Sequence, residues 1–116
     1  MISKIVAQGK ATSKQTFTLK EGFNKIGRRS DSEMKPAIDE VLLQTEDSSI
    51  HRHYHCKIQA IINGNTYDYI LTPCESATNP TFIGQERHQL HKLDAVYLNE
   101  NSVFHIGEDT TIVLTK

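Results

Sequence analysis

Alternating apolar and polar positions dominate this sequence, and a period of two predicts β-strands. The clearest case lies between positions 53 and 62. One face carries Tyr54, Cys56, Ile58, Ala60 and Ile62, and the other carries His53, His55, Lys57, Gln59 and Ile61. Asn63-Gly64 follows, and this dipeptide is a strong signal for a type I′ hairpin turn because both residues tolerate positive φ. The returning strand is predicted over residues 66–72.

Shorter stretches of the same kind predict further strands, separated by turn-forming residues. They cover residues 16–20, 23–27, 38–43, 81–83, 95–98, 102–106 and 110–115. Residues 30–36 show no periodicity and are expected to form an exposed loop. Many short strands without a convincing amphipathic helix predict an all-β sandwich or barrel. The length of 116 residues fits a single domain over positions 1–116.

Composition narrows the possible partners and the compartment. Lys and Arg number 13 against 14 for Asp and Glu, which argues against a nucleic-acid partner. The sequence lacks an apolar run of the roughly 20 residues that a membrane helix needs, and Met1-Ile2-Ser3-Lys4 does not resemble a signal peptide. Cys56 lies in a predicted strand and Cys74 in a loop bracketed by prolines. We therefore expect no membrane partner, two free thiols and a cytoplasmic location.

Polar residues suited to binding an anion follow two of the predicted strands. Gly27 and Arg28 end the strand 23–27, and a turn containing Ser49, His51 and Arg52 leads into the next long strand. An arginine fork can form two parallel charge-assisted hydrogen bonds to a phosphate. Loops at one end of a rigid sandwich can hold such a site in place.

The order of these segments resembles the forkhead-associated (FHA) domain family, whose members are β-sandwiches that read phosphothreonine in partner proteins. Ile26-Gly27-Arg28 is similar to the opening Gly-Arg motif of that family. The resemblance implies that Arg28 contacts the phosphate and that Gly27 lets the backbone turn. It also implies an SMAD/FHA-like antiparallel β-sandwich of about ten to eleven short strands.

The second motif of the family runs Ser-Arg-any-His, and this chain matches it with one residue inserted. Arg52 and His55 take the places of its Arg and His, and His51 takes the place of its phosphate-binding Ser. Either Ser49 or the His51 imidazole is therefore the expected additional donor. By the same resemblance, His55 hydrogen-bonds loop backbone and fixes the turn.

Two later segments extend the resemblance. Asn79-Pro80-Thr81 is similar to the Asn-Gly-Thr segment of the family, with Pro80 in place of Gly. It implies that Asn79 binds the ligand's backbone near the phosphothreonine. Residues 98–107 resemble the last turn and strand of the family.

The sequence thus predicts a non-catalytic module whose partner is a phosphorylated protein or peptide, with no cofactor and no metal. His51, His53 and His55 alternate, but no acidic or Cys partner lies at a recognisable zinc-site spacing. A Cys-His hydrolase is excluded by the predicted alternation, which puts Cys56 and His55 on opposite faces. The alternative is a degenerate FHA-like interaction or assembly domain that does not read phosphate, which the His51 and Pro80 departures favour. The oligomeric state is left open.

Overall fold

Eleven β-strands form the regular structure in the computed structural model, which describes residues 2–30 and 35–116. In chain order they are β1 (Lys4–Gly9), β2 (Thr12–Thr18), β3 (Gly22–Arg28), β4 (Glu40–Leu43), β5 (Cys56–Asn63), β6 (Thr66–Pro73), β7 (Thr81–Ile83), β8 (His88–Gln89), β9 (Val96–Leu98), β10 (Val103–Ile106) and β11 (Thr110–Thr115). The described residues contain no helix, and so none that could cross a membrane. The fold is all-β, as the sequence predicted.

The strands form two sheets that pack face to face as a β-sandwich. One sheet has the order β2-β1-β11-β10-β7-β8 and the other the order β4-β3-β5-β6-β9. The pairings are antiparallel except between β3 and β4, which run parallel. That one pair departs from the purely antiparallel prediction, because β3 and β4 run in the same direction, with Lys25 opposite Glu40 and Arg28 opposite Leu43.

Apolar side chains from both sheets fill the space between them. Fully buried members include Ile5, Ile26, Ile58, Leu71, Phe104, Ile106, Ile112 and Leu114. Burying one aliphatic or Phe side chain contributes about 1.5–3 kcal/mol, so this cluster is the main source of stability. The predicted position of Ile58 at the centre of an apolar face is confirmed by its complete burial.

The β5–β6 hairpin corrects two details of the predicted alternation. The turn is centred on Gly64 and Asn65, because Asn63 pairs with Thr66, and of these central residues only Gly64 has positive φ. This matches a type II′ turn and not the predicted type I′ turn. Ile62 lies beyond the end of the core and is 58% exposed, although the pattern placed it on the apolar face.

Some strand bounds also differ from the predictions. The strand expected over 38–43 is shorter, with Ile38 lying before β4 and largely exposed. The pattern did not single out β1 or β8, because β8 has only two residues and β1 has only three apolar positions. The loop predicted over 30–36 falls partly on residues 31–34, which lie outside the described residues.

Three connections meet beside the end of β3 and position the candidate site. They are the β4–β5 connection over residues 44–55, the β6–β7 connection over residues 74–80 and the β10–β11 turn over residues 107–109. Direct hydrogen bonds join the first connection to each of the others. The β4–β5 connection is thereby anchored to strands of both sheets.

Candidate functional site

An open cleft of about 240 Å³ lies between the end of β3 and two of these connections. The residues that line it are Arg28, Ser48, Ser49, Ile50, His51, Arg52, Thr78 and Asn79. All five residues predicted to bind a phosphopeptide are among them, so the fold brings the predicted set together. Arg28 and Arg52 give the cleft its positive charge.

The Arg28 side chain is held in a fixed orientation at the end of β3. Its Nε donates a hydrogen bond to the Ile50 carbonyl oxygen at 3.0 Å, and its backbone N–H donates to the His51 carbonyl at 3.0 Å. The Nε bond uses one of the five guanidinium N–H donors, and the half-buried side chain keeps contact with solvent. A guanidinium oriented in advance loses less entropy when it binds an anion.

Gly27 lets the β4–β5 connection pack directly on β3. A Cβ atom at this position would lie 2.3 Å from the His53 carbonyl carbon and 2.6 Å from the Tyr54 nitrogen. Both contacts are with backbone, so the connection itself would have to move. A glycine is therefore needed at position 27 because the β4–β5 connection approaches it closely. The resemblance implied that Gly27 lets the backbone turn, but the residue with positive φ in this region is His53.

Asp47 holds the turn that contains Ser49. One carboxylate oxygen accepts both the backbone N–H and the hydroxyl of Ser49, and the other accepts the Glu108 N–H at 2.9 Å. Burial alone would raise the pKa of Asp47, but hydrogen bonds from Ser49, Glu108 and Asp109 outweigh it and hold that pKa below its usual value. Asp47 is therefore an ionised carboxylate that holds the turn. It accepts the one hydrogen bond that the Ser49 hydroxyl can donate, which was expected to go to a ligand.

His51 and Arg52 occupy the part of the turn that faces the cleft. The His51 ring nitrogen Nδ1 lies 2.8 Å from the Arg52 carbonyl oxygen. The backbone of Arg52 forms an isolated bridge with the backbone of Arg28. Its side chain is exposed, so Arg52 adds a solvent-facing positive charge beside the oriented one of Arg28.

His55 ties the turn to the β6–β7 connection from a fully buried position. The His51 backbone N–H donates to His55 Nδ1 at 2.9 Å, and His55 Nε2 donates to the Pro80 carbonyl at 3.1 Å. These partners fix the neutral Nε2–H tautomer. Burial lowers the pKa of His55, an effect that the Pro80 hydrogen bond opposes in part. The expected bonds to loop backbone are present.

His55 is fully buried, so the predicted position of His55 on the outer face of a strand is wrong. β5 begins at Cys56, so the period of two does not extend back through His53 and Tyr54. Burial also raises the pKa of the Cys56 thiol, which is therefore not an activated nucleophile. Cys74 is buried as well, although a surface loop was expected, and both cysteines are free.

Asn79 braces the turn from the other side of the cleft. Its Nδ2 donates to the Ser49 carbonyl at 2.9 Å, which leaves the side-chain Oδ1 as an acceptor that this bond does not use. Ser48 and Thr78 also line the cleft, and neither is among the residues predicted to bind a phosphopeptide. In the sequence, the one indication that they belong to the cleft is that Ser48 precedes Ser49 and Thr78 precedes Asn79.

Comparison with known proteins identifies the fold. No family model matches the sequence, and no curated protein matches it either. Solved structures match over nearly the whole chain. One is an FHA domain studied for its phosphothreonine-dependent interactions, with 21% identity and a TM-score of 0.63 over 97% of this chain and 96% of that one.

Two other structures show the range of these neighbours. The MEK1 FHA domain in complex with a HOP1 phosphothreonine peptide is 17% identical, with a TM-score of 0.66 over 96% of this chain and 94% of that one. The yeast splicing factor Pml1, which is integrated into the RES complex, is 11% identical, with a TM-score of 0.72 over 98% of this chain and 78% of that one. The chain thus has the fold of FHA domains.

Proposed function

We propose that this FHA-like domain is a non-catalytic module that binds phosphothreonine peptides and so mediates phosphorylation-dependent protein–protein interaction. The observation that carries the proposal is the oriented Arg28 guanidinium in a cleft shared with Arg52, His51 and Asn79. A phosphate group needs fixed cationic donors, and this cleft supplies them on a rigid sandwich. The two free cysteines support a reducing compartment such as the cytoplasm.

Each residue that lines the cleft has its own role in binding the phosphate. Arg28 neutralises the phosphate and Arg52 adds charge at the rim. His51 contributes a ring nitrogen, and hydroxyls come from Ser48 and Thr78, since the Ser49 hydroxyl is engaged by Asp47. Ser49 supports the shape of the cleft, because its N–H donates to Asp47 and its carbonyl accepts from Asn79.

Asn79 sets the direction of the bound peptide. Its Nδ2 holds the Ser49 carbonyl, so the Oδ1 is the atom that accepts a hydrogen bond from a ligand backbone N–H. A peptide aligned in this way places its phosphothreonine side chain in the cleft. The open shape of the cleft fits a side chain on an extended peptide.

A second function is an interaction or assembly domain that does not read phosphate. His51 in place of the expected Ser, Pro80 in place of Gly and the engaged Ser49 hydroxyl support it. The similarity to Pml1, a component of a splicing complex, is consistent with it as well.

A titration against a phosphothreonine peptide library and its unphosphorylated copy separates the two functions. The proposed function predicts saturable binding of a subset of phosphorylated peptides and at least tenfold weaker binding of their unphosphorylated partners, since each charge-assisted hydrogen bond contributes about 1.5–3 kcal/mol. Equal binding of both copies, or binding of neither, favours the assembly domain.

A further inference from the structure

The hydrogen bond of His51 fixes where its ring carries a proton. Nδ1 lies 2.8 Å from the Arg52 carbonyl oxygen, and a carbonyl oxygen only accepts hydrogen bonds. Nδ1 must therefore be the protonated nitrogen. In the neutral ring, Nε2 is then an acceptor with a lone pair and cannot donate.

A lone pair at this position conflicts with a phosphate ligand. His51 lines the same cleft as Arg28, and a phosphate dianion offers only acceptor oxygens. Two acceptors brought together without a proton repel each other, and a polar group left unpaired on binding costs affinity. A serine in the same place causes no conflict, because its hydroxyl can donate.

The charges around His51 allow a proton to enter together with the ligand. Arg28 and Arg52 are the cations of the cleft, and none of the described residues that line it is acidic. The buried Asp47 carboxylate is engaged by Ser49 and Glu108, and His55 is held neutral by its burial and by the His51 N–H that its Nδ1 accepts. The phosphate is therefore the anion that can stabilise a proton at His51, and neither neighbour competes for it.

We infer that binding of phosphothreonine by this domain takes up one proton from solvent, shared between His51 Nε2 and a phosphate oxygen. The inference rests on the proposed function and names the protonation state of its bound ligand. No covalent bond changes; the complex holds one proton more than the free domain and the free dianion. The shared proton belongs to the pair, as in other coupled titrations. Affinity should therefore rise up to tenfold for each unit that pH falls between 8 and 7.

Isothermal titration calorimetry measures this uptake directly. One phosphothreonine peptide that binds is titrated at pH 7.5 in two buffers of different ionisation enthalpy, for example Tris and HEPES. The slope of the observed enthalpy against the buffer ionisation enthalpy gives the number of protons taken up. It should approach one, because the complex holds one proton more than the free domain and the free dianion. His51→Ser should bring the slope close to zero.

His53→Ser is the matched control. His53 is exposed, is paired with Glu40 at 3.0 Å and does not line the cleft, so this variant should keep the slope of the unmutated domain. Phosphopeptide binding with a slope of zero in the unmutated domain overturns the inference and leaves the proposed function intact. A slope that His51→Ser leaves unchanged overturns it as well. Absence of any phosphopeptide binding overturns both.

Discussion

The hydroxyl of Ser49 donates to Asp47, and this one hydrogen bond changes which donors the cleft can offer. The resemblance to FHA domains implies that either Ser49 or His51 supplies a donor to the phosphate, and a free hydroxyl could do so. In the structure, the Ser49 hydroxyl donates its hydrogen bond to the Asp47 carboxylate, which also accepts the Glu108 N–H at 2.9 Å. The binding turn is thereby fixed to the β10–β11 turn.

Asp47→Asn tests this bracing role. The asparagine amide would place an NH₂ group against an N–H or O–H donor, and a buried unsatisfied donor costs about 1–3 kcal/mol. We expect the free energy of unfolding to fall by that amount and phosphopeptide affinity to fall with it. Urea unfolding and peptide titration measure the two effects.

Asp39→Asn is the control for this substitution, because Asp39 does not line the cleft and is partly exposed, and its carboxylate lies 3.4 Å from the Lys25 ammonium. An exposed pair contributes little to stability. If both variants retain the stability and affinity of the unmutated domain, Asp47 does not hold the turn.

Strand periodicity predicts the elements that border the cleft better than it predicts the connections between them. The β5 alternation correctly places Cys56, Ile58 and Ala60 in the core, because one face of that strand meets the other sheet. It fails at His55, whose burial depends on contacts with Pro80 and His51 that are distant from any local pattern. The alternation within β3 and within β4 likewise does not indicate that these two strands pair parallel.

Two variants that disturb packing between elements should have different effects, one on phosphopeptide affinity and the other on the free energy of unfolding. Gly27→Ala forces a Cβ into the backbone of His53 and Tyr54, so we expect the turn to shift and phosphopeptide affinity to fall at least tenfold.

Ile58→Ala removes a fully buried side chain from the sandwich and should lower the free energy of unfolding by about 2–5 kcal/mol.

Thermal unfolding and peptide titration below the melting temperature distinguish these effects. Folded Ile58→Ala should keep nearly the affinity of the unmutated domain, because Ile58 lies in the core and not in the cleft. Unchanged affinity in Gly27→Ala would show that close packing of the turn on β3 is not needed for binding.

Acid should destabilise the whole molecule in two stages. Burial lowers the pKa of His55 below its usual 6.5, and it likewise lowers that of His105. The unfolded chain therefore binds more protons than the folded one as pH falls through 6.5, and stability present above that pH is lost below it. The lowered pKa of Asp47 adds a second loss below about pH 4, because its usual value is 3.8.

Urea unfolding at pH 7.5, 6.5 and 5.5 checks the first stage. We expect the free energy of unfolding to be lowest at pH 5.5, where a protonated His55 could no longer accept the His51 N–H. A free energy of unfolding that is equal or higher at pH 5.5 would contradict the neutral tautomer assigned to His55.

The most direct test of phosphate reading compares Arg28→Ala, Arg28→Lys and Lys57→Ala by titration with one phosphothreonine peptide and its unphosphorylated copy. Arg28 is the oriented cation of the cleft, whereas Lys57 Nζ lies 4.7 Å from the centroid of the Phe23 ring and outside the cleft. Losing charge-assisted hydrogen bonds of about 1.5–3 kcal/mol each should weaken binding at least tenfold in Arg28→Ala. Arg28→Lys should recover only part of that loss, because a lysine lacks the fork, and Lys57→Ala should change little. Equal, small losses in Arg28→Ala and Lys57→Ala would contradict the assignment of the phosphate site.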